Sequence, residues 1–570
     1  MALASVAAAQ SPLSAIHGQA KDSAGQPIAG AEISIHNLDE QSDPVVVTGG
    51  DGSFALRQIK PGKYEVGAAH TGFQKVTMNF ELAAGEDHAL ALTMTSDAAT
   101  PATNVAAGNF WKRFAQAYKD DWNPPPAAAA PVTPAPGAEP PYRGYAPVVS
   151  SPPYPFTVWP IGGTVWMGYN NATQYPLTTA LQTGPHGDWW KKANIQVYGW
   201  MDLGMNLSTS TARPYGNLPA AYAEVPNTFQ LDQATLYIER TPDTIQTDHF
   251  DWGFRFTNLY GVDYRFTTAD GYFSQQLLNN AKKDGSIGNR YGYDPVMMYV
   301  DLYYPHVAEG LDVRIGRYIS LPDIEAQLAP NNYTYTHSLT YTYDCYTYTQ
   351  TGINGTVKLS NHWTIQAGLS AGCEAAPWAP DHHLTGNACV AYTWNEGRDN
   401  WYTCANSINS GKYDYNNLAA YYTTYYHKFG QSRWHMDVET WYQYMKDTPN
   451  VNNPAAASLL ITNSNGAICK NVNALTCFAP DWATVGYVNY QINSKNFISV
   501  RNEYVDDIVG QRTGYATKYT EHMISWNHWI GSTIVFRPEL RYDHAYDAPA
   551  YNNGTKKSQL MFAADMIWFY

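Results

Sequence analysis

Arg537, Glu539, Arg541 and Asp543 alternate in the sequence with Ile534, Phe536, Pro538, Leu540 and Tyr542. A two-residue period places the first set on one face of a β-strand and the second on the other. Interleaved arginines and carboxylates suit the sorting of ions and dipolar solutes, which charged walls perform in channels. The apolar set suits lipid, because an arginine facing lipid at the bilayer midplane costs roughly 2–4 kcal/mol. The charged face is therefore expected to line a wet interior. Arg501 and Glu503 repeat the alternation in an earlier strand, and Arg314 in another. Bond-making chemistry has no comparable constellation. G-x-S-x-G and H-E-x-x-H are absent, and Asp381-His382-His383 lacks a spaced third ligand. No enzyme activity, metal or cofactor is expected.

Only a particular kind of chain can carry such faces. The 570 residues are 15% charged and 14% aromatic, with 45 Tyr and 18 Trp, whereas an ordinary soluble domain has roughly 25% charged residues. Mean hydropathy is −0.40, and no run of ~18 apolar residues exists that could form a membrane-spanning helix. A net charge of −14 argues against a nucleic-acid partner, which would demand clustered cations. What remains is the profile of a transmembrane antiparallel β-barrel.

Alternation predicts sixteen strands, at approximately 194–207, 228–240, 249–259, 293–304, 311–319, 346–359, 361–373, 388–394, 398–409, 416–429, 432–445, 481–493, 495–506, 517–529, 532–544 and 558–570. Connections after even-numbered strands are short, and those after odd-numbered strands are long, including 260–292, 320–345 and 446–480. Short turns on one side and long loops on the other is the outer-membrane pattern, with both ends of the barrel on the periplasmic side. Leu560, Phe562, Ala564, Met566, Trp568 and Tyr570 form one face of the last strand. Its aromatic ending, Trp568 and Tyr570, resembles the signal read by the barrel-assembly machinery.

The rest of the chain is organised differently. Met1 to Gln10 ends in small residues before Gln10, so 1–12 is expected to be a truncated signal peptide or a disordered tail. Residues 13–95 carry short β-runs separated by turn chemistry and predict a small β-sandwich. Phe110, Trp111, Phe114 and Tyr118 fall near one stripe of a short amphipathic helix, 106–122, suited to a membrane interface, a partner or the sandwich surface. Thirteen prolines between Pro124 and Pro160 make 123–160 an extended linker. A segment leading into the barrel, 161–193, precedes the barrel proper at 194–570.

Two family resemblances follow from particular residues. Gly18, Asp22, Gly25, Pro27-Ile28, Gly30-Ala31, Asp51-Gly52-x-Phe54 and Pro61-Gly62-x-Tyr64 resemble a carboxypeptidase regulatory-like domain. That resemblance implies a transthyretin-like sandwich among carbohydrate-binding-like folds, an accessory module rather than a peptidase. Phe54, Tyr64 and Phe73 are the aromatics available for a sugar, although such residues more often belong to a core. Pro153 to Pro160, Ile195 to Trp200, Arg314 to Ser320 with Leu321 to Leu328, and Leu418 to Phe429 resemble the OmpL-like β-barrel porin family, the second family of that kind.

In sixteen-stranded general porins the third long loop folds inward and narrows the pore. Here Asp323 and Glu325 would then face Arg314, Arg501, Arg537 and Arg541 across a constriction. The same charges could instead form ladders of opposite sign on the wall, Arg537 and Glu539 beside Arg501 and Glu503. The run Tyr333 to Tyr343 alternates aromatic and hydroxyl side chains, a track that can guide sugars, although such residues are more often simply strand formers. Cys469 and Cys477 would staple a long loop. Cys389 is placed to pair with Cys404 or with Cys373, and the sequence does not choose between them. The expected function is passive, charge-selective diffusion of small polar solutes through an outer-membrane porin. Expected partners are outer-membrane lipid, the assembly machinery, such solutes, peptidoglycan or other glycan, and further copies in a homo-oligomer. The alternative is an outer-membrane anchor whose sandwich and long loops bind glycan or cell wall.

Overall fold

The computed structural model describes residues 14–22, 25–28, 30–38, 45–49, 51–70, 73–94, 108–123, 143, 167–168, 175–279, 290–319, 323–344, 349–380, 382–409, 411, 417–430, 432–459, 466–493 and 495–570. The expected leader or tail at 1–12, the linker apart from Asn123 and Arg143, and Cys345 lie outside the described residues. The chain divides into two compact units, 1–109 with 123–143 and 110–122 with 144–570.

The first unit is a sandwich of two sheets. One holds β4 (Ser53–Ile59), β1 (Ser14–Asp22) and β7 (Asp87–Met94) in that order; the other holds β3 (Val45–Val47), β2 (Glu32–Asn37), β5 (Gly62–His70) and β6 (Phe73–Leu82). Alternation supplies the core: Ile16, Ile33, Ile35, Phe54, Val66, Leu90 and Leu92 are buried between the sheets. Gly18 is required where β1 lies against β7, because a Cβ there would sit 1.9 Å from the Leu90 carbonyl oxygen. The Asp22-x-x-Gly25 motif is a turn: the Gly25 N–H donates to the Asp22 carbonyl at 3.0 Å, and Gly25 takes φ +81°, a value that suits a residue without a Cβ. Phe54 and Tyr64 are buried, and the Tyr64 hydroxyl donates to the Lys60 carbonyl at 2.7 Å. These two rings therefore serve the core and offer no face to a sugar.

The second unit is a closed antiparallel barrel of sixteen strands. In chain order they are β8 (Gln196–Ser208), β9 (Thr228–Arg240), β10 (Asp251–Gly261), β11 (Gly292–Tyr304), β12 (Leu311–Ile319), β13 (Thr349–Lys358), β14 (Trp363–Ser370), β15 (Thr385–Trp394), β16 (Asp399–Ile408), β17 (Leu418–Lys428), β18 (Trp434–Pro449), β19 (Thr476–Asn493), β20 (Asn496–Asp507), β21 (Thr517–Ile530), β22 (Ile534–Ala545) and β23 (Ser558–Phe569). Each strand pairs with its neighbours in sequence. The barrel closes where β23 pairs with β8, from Met561↔Ser208 to Phe569↔Trp200, and Tyr570 extends this pairing by exchanging backbone hydrogen bonds with Gly199. No helix among the described residues is long and apolar enough to cross a membrane.

Period-2 alternation holds along the wall. On β22, Phe536, Leu540 and Tyr542 are exposed on the outer face, whereas Arg537, Glu539, Arg541 and Asp543 are buried on the inner one. Aromatic pairs ring both rims of the outer face. Trp363 with Tyr392 and Trp434 with Tyr490 stand toward the short turns, each with ring centroids 4.5 Å apart. Tyr444 with Phe478 and Trp482 with Tyr504 stand toward the long loops. Such rings are the girdles of an outer-membrane barrel.

Three helices of this unit lie at the short-turn end, outside the strands. They are α1 (Phe110–Trp122), α2 (Pro176–Gln182) and α3 (Gly187–Ala193), the last leading into β8 through Asn194 in the left-handed conformation at φ 53°. The sequence offered α1 a membrane interface, a partner or the sandwich; its contacts in the structure include one that was not foreseen, the barrel itself, where the Tyr118 hydroxyl donates to the Phe569 carbonyl at 2.7 Å. The Asp121 carboxylate accepts from the Ser532 N–H at 2.9 Å and from the Ser532 and Thr533 hydroxyls, both at 2.7 Å.

Candidate functional site

The third long connection, between β12 and β13, positions the site. Of its described residues 323–344, only Ala326 and Tyr343 are half-buried and all the others are buried. The run Tyr333 to Tyr343, rich in strand-forming residues, is irregular and ends in a single helical turn, Leu339–Thr342. Its backbone groups are satisfied by side chains of the barrel wall instead of a β-ladder.

Glu503 accepts from the Leu339 and Thr340 N–H groups at 2.9 and 2.8 Å and from the Thr340 hydroxyl at 2.9 Å. Glu539 accepts from the Tyr335 and Thr336 N–H groups at 3.0 and 3.2 Å, and from the Thr336 hydroxyl. Glu439 takes the Ile324 N–H at 2.8 Å. The arginines hold the carbonyl side of the same loop. Arg501 donates to the Thr336 carbonyl at 2.6 Å, Arg537 to those of Ala329 and Asn332 at 2.9 and 2.8 Å, and Arg541 to that of His337 at 2.5 Å. Buried peptide groups must find partners, and charge-assisted bonds are the stronger kind. The wall's alternating signs thus match the alternating donors and acceptors of a peptide chain.

The nine expected site residues separate into two sets. Glu325 does face an arginine, its carboxylate 3.6 Å from Arg501, and it also accepts from the Tyr487 hydroxyl at 2.8 Å and the Ser338 N–H at 3.1 Å. The His337 ring stands 3.3 Å from it. Desolvation raises the Glu325 pKa, but Arg501 and His337 outweigh that and bring it down to about 2. Arg501, Arg537, Arg541, Glu503 and Glu539 join Glu325 around the loop, and Asp543 supports Arg541 at 2.8 Å. Arg314 belongs elsewhere: it makes a two-pronged pair with Asp301, its direct cross-strand neighbour, at 2.8 and 2.9 Å, with its guanidinium over the Tyr299 ring. Asp323 is buried beside Glu439 rather than set against one of the four arginines.

Two expectations are corrected by this geometry. The charged face is covered rather than open: Arg501 and Arg541 are 0% exposed and Arg537 2%, because the loop packs on them. Nor do Arg537 and Glu539 lie beside Arg501 and Glu503, since β21 runs between the two strands. Arg501 and Arg541 flank Met523 in register, while Glu503 and Asp543 flank Glu521. Glu521 therefore lies on the diagonal of both arginines, 3.0 Å from Arg501 and 3.7 Å from Arg541. Glu521, Asp565 (the partner of Arg537) and Glu439 are site residues that sequence reasoning missed. Their signal was available, for each carries charge on the inner face of an alternating strand. Pro538 has a place in the same frame: bridging of β21 to β22 lapses between Ser525↔Glu539 and His528↔Phe536, where its lack of an N–H costs no ladder bond. Within that gap the Asn527 side chain donates to the Tyr333 carbonyl of the loop at 2.8 Å.

Cys389 and Cys404 are cross-strand neighbours on β15 and β16 and form a disulfide, Cys469 and Cys477 form another, and Cys373 is a buried thiol 2.8 Å from the Ser407 hydroxyl. Trp568 is exposed on the outer face of β23, and the Tyr570 hydroxyl donates to the Thr235 carbonyl at 2.8 Å. Neither aromatic touches the loop site through these contacts.

Among solved structures, the anion-selective porin from Comamonas acidovorans is 9% identical, with a TM-score of 0.41 over 66% of this chain and 99% of that one. The outer-membrane channel DcaP of Acinetobacter baumannii is 10% identical, with a TM-score of 0.40 over 66% and 97%. Salmonella typhi OmpF, in a complex with daunomycin, is 10% identical, with a TM-score of 0.41 over 66% and 97%. No curated protein matches the chain. The carboxypeptidase regulatory-like domain matches residues 15–95. Residues 194–569 match the family described as "Putative beta-barrel porin-2, OmpL-like", and with the closed sixteen-stranded barrel already described, the chain belongs to that OmpL-like family of outer-membrane β-barrel porins.

Proposed function

We propose that this porin gives passive, charge-selective diffusion of small polar solutes, with the loop 323–344 as its constriction. The observation that carries the reading is the fastening of that loop to the inner wall by Glu439, Glu503, Glu539, Arg501, Arg537 and Arg541. Among the described residues, seventeen carboxylates but only seven Arg or Lys side chains are buried on the barrel strands. A wall with that excess favours cations. Reversal potentials in planar bilayers across a salt gradient test this: cation preference is expected. Ion selectivity left untouched by both Arg537→Ala and Arg541→Ala would remove the arginines from the constriction.

The short turns mark the periplasmic end in this reading. The chain reaches β8 from that end, by way of α3, which supports a periplasmic place for the sandwich. A second reading, the barrel as an anchor for a glycan- or cell-wall-binding sandwich, draws on the burial of the inward side chains. Conductance separates the two, since an anchor passes no current.

A further inference from the structure

Helix α1 presents three faces. Arg113, Ala117 and Asp121, four residues apart, turn toward the rest of the barrel unit, Arg113 donating to the Ala180 carbonyl of α2 at 3.0 Å and Asp121 gripping the turn at Ser532 and Thr533. Lys112, Gln116, Lys119 and Asp120 form an exposed polar face, with Gln116 donating to Asp120 at 2.7 Å. Between these faces runs a ladder of aromatic rings. Phe110 meets Phe114 at 5.9 Å, Phe114 meets Tyr118 at 5.2 Å, and Tyr118 meets Trp568 at 6.0 Å. Trp111 joins at 5.1 Å from Phe110 and is 71% exposed.

The far end of that ladder decides what covers it. Trp568 is on the outer face of β23, among Leu560, Phe562 and Met566, the lipid-facing residues of that strand. Through Tyr118, the rings of α1 continue this apolar wall past the last strand residue and along the rim. A helix with an aromatic face, a polar face bearing lysines, and a position at the end of the lipid-facing band has the design of an interfacial segment. Tryptophan is also a residue favoured at headgroup depth. A partner protein would have to enter the membrane boundary to reach the same rings.

We propose that α1 lies in the lipid interface at the short-turn rim of the barrel, with Phe110, Trp111 and Phe114 sunk among headgroups and upper acyl chains, and that it extends the barrel's lipid contact beyond its strands. Tyr118 and Asp121 hold the helix to the wall, and Arg113 holds it to α2, so that this face meets the bilayer.

The test uses the full chain reconstituted at high dilution in phosphatidylcholine vesicles, with Cys345 and Cys373 replaced by Ser. An environment-sensitive fluorophore is attached after Trp111→Cys, or after Gln116→Cys on the polar face. Heat-modifiable gel mobility first confirms that each variant forms a barrel. A face sunk roughly 5–10 Å into the headgroup boundary should lose about half its emission to a lipid spin-labelled near the carbonyls, while iodide on both sides of the membrane has little effect. The label at position 116 should respond in the opposite way. Iodide quenching at position 111 equal to that at 116 overturns the proposal, because the face is then in water. Protection of position 111 from both quenchers also overturns it, because protein then covers the face.

Discussion

Changing Glu503 and Glu539 together to Gln should release the loop 323–344 without dismantling the barrel. Each carboxylate accepts two loop N–H groups and one loop hydroxyl, at 2.8–2.9 Å for Glu503 and from Tyr335 and Thr336 for Glu539. Hydrogen bonds to a charged group contribute about 1.5–3 kcal/mol each, and an amide of the same shape removes the charge and turns one acceptor into a donor facing other donors. Because the freed N–H groups find water once the loop leaves, a net loss of about 2 kcal/mol per carboxylate follows. Two such losses at separate peptide groups give about 4 kcal/mol, nearly three orders of magnitude in the ratio of docked to undocked loop. The β20 and β22 ladders are untouched, so heat-modifiable gel mobility should match that of the parent. Single-channel recording in planar bilayers should show higher conductance and frequent transitions, and protease should cut within 323–344 faster. Unchanged conductance and unchanged cleavage in a folded double variant would refute the reasoning, for the loop would then be held by something other than these carboxylates.

Acid should weaken the same docking. The Glu325 pKa is lowered to about 2, with desolvation opposed by Arg501 and His337, so its contribution is present above 4.5 and is lost as pH falls from about 4.5 toward 2. The His337 pKa is lowered by burial and by Arg501 and Arg537, against Glu325, so the undocked loop takes this proton first and docking also weakens as pH falls below 6.5. Conductance measured from pH 7 to 3 should therefore rise, and a flat profile would contradict both signs. Gly261→Ala should destabilise the barrel by about 3 kcal/mol, because a Cβ at its φ of +154° would lie 1.9 Å from the Asp232 carbonyl oxygen; the melting of the folded gel band reads this. Replacing Cys469 and Cys477 by Ser should remove roughly 2–3 kcal/mol of loop-closure restraint and speed proteolysis between the two positions, with the folded band unaltered.

The strands were legible because lipid leaves a chain little choice. Every spanning segment needs an apolar outer face and a fully paired backbone, and the even spacing of Phe536, Leu540 and Tyr542 against Arg537, Glu539 and Arg541 reports both conditions at once. What fills the interior obeys a weaker rule. Alternation shows that Arg501 and Glu503 point inward, but a water column and a buried peptide loop both satisfy charge, and the pattern on the wall is the same for either. Within the long connection 320–345, the tyrosines and threonines from Tyr333 to Tyr343 suit a pleated strand by propensity. The carboxylates of Glu503 and Glu539 override that propensity, taking the N–H groups of Tyr335, Thr336, Leu339 and Thr340 that a ladder would have used. A backbone fastened by side chains has no fixed register, unlike one fastened by another backbone, and can detach one carboxylate at a time. The charged face that sequence reads as a surface for solutes is therefore first a surface for the loop.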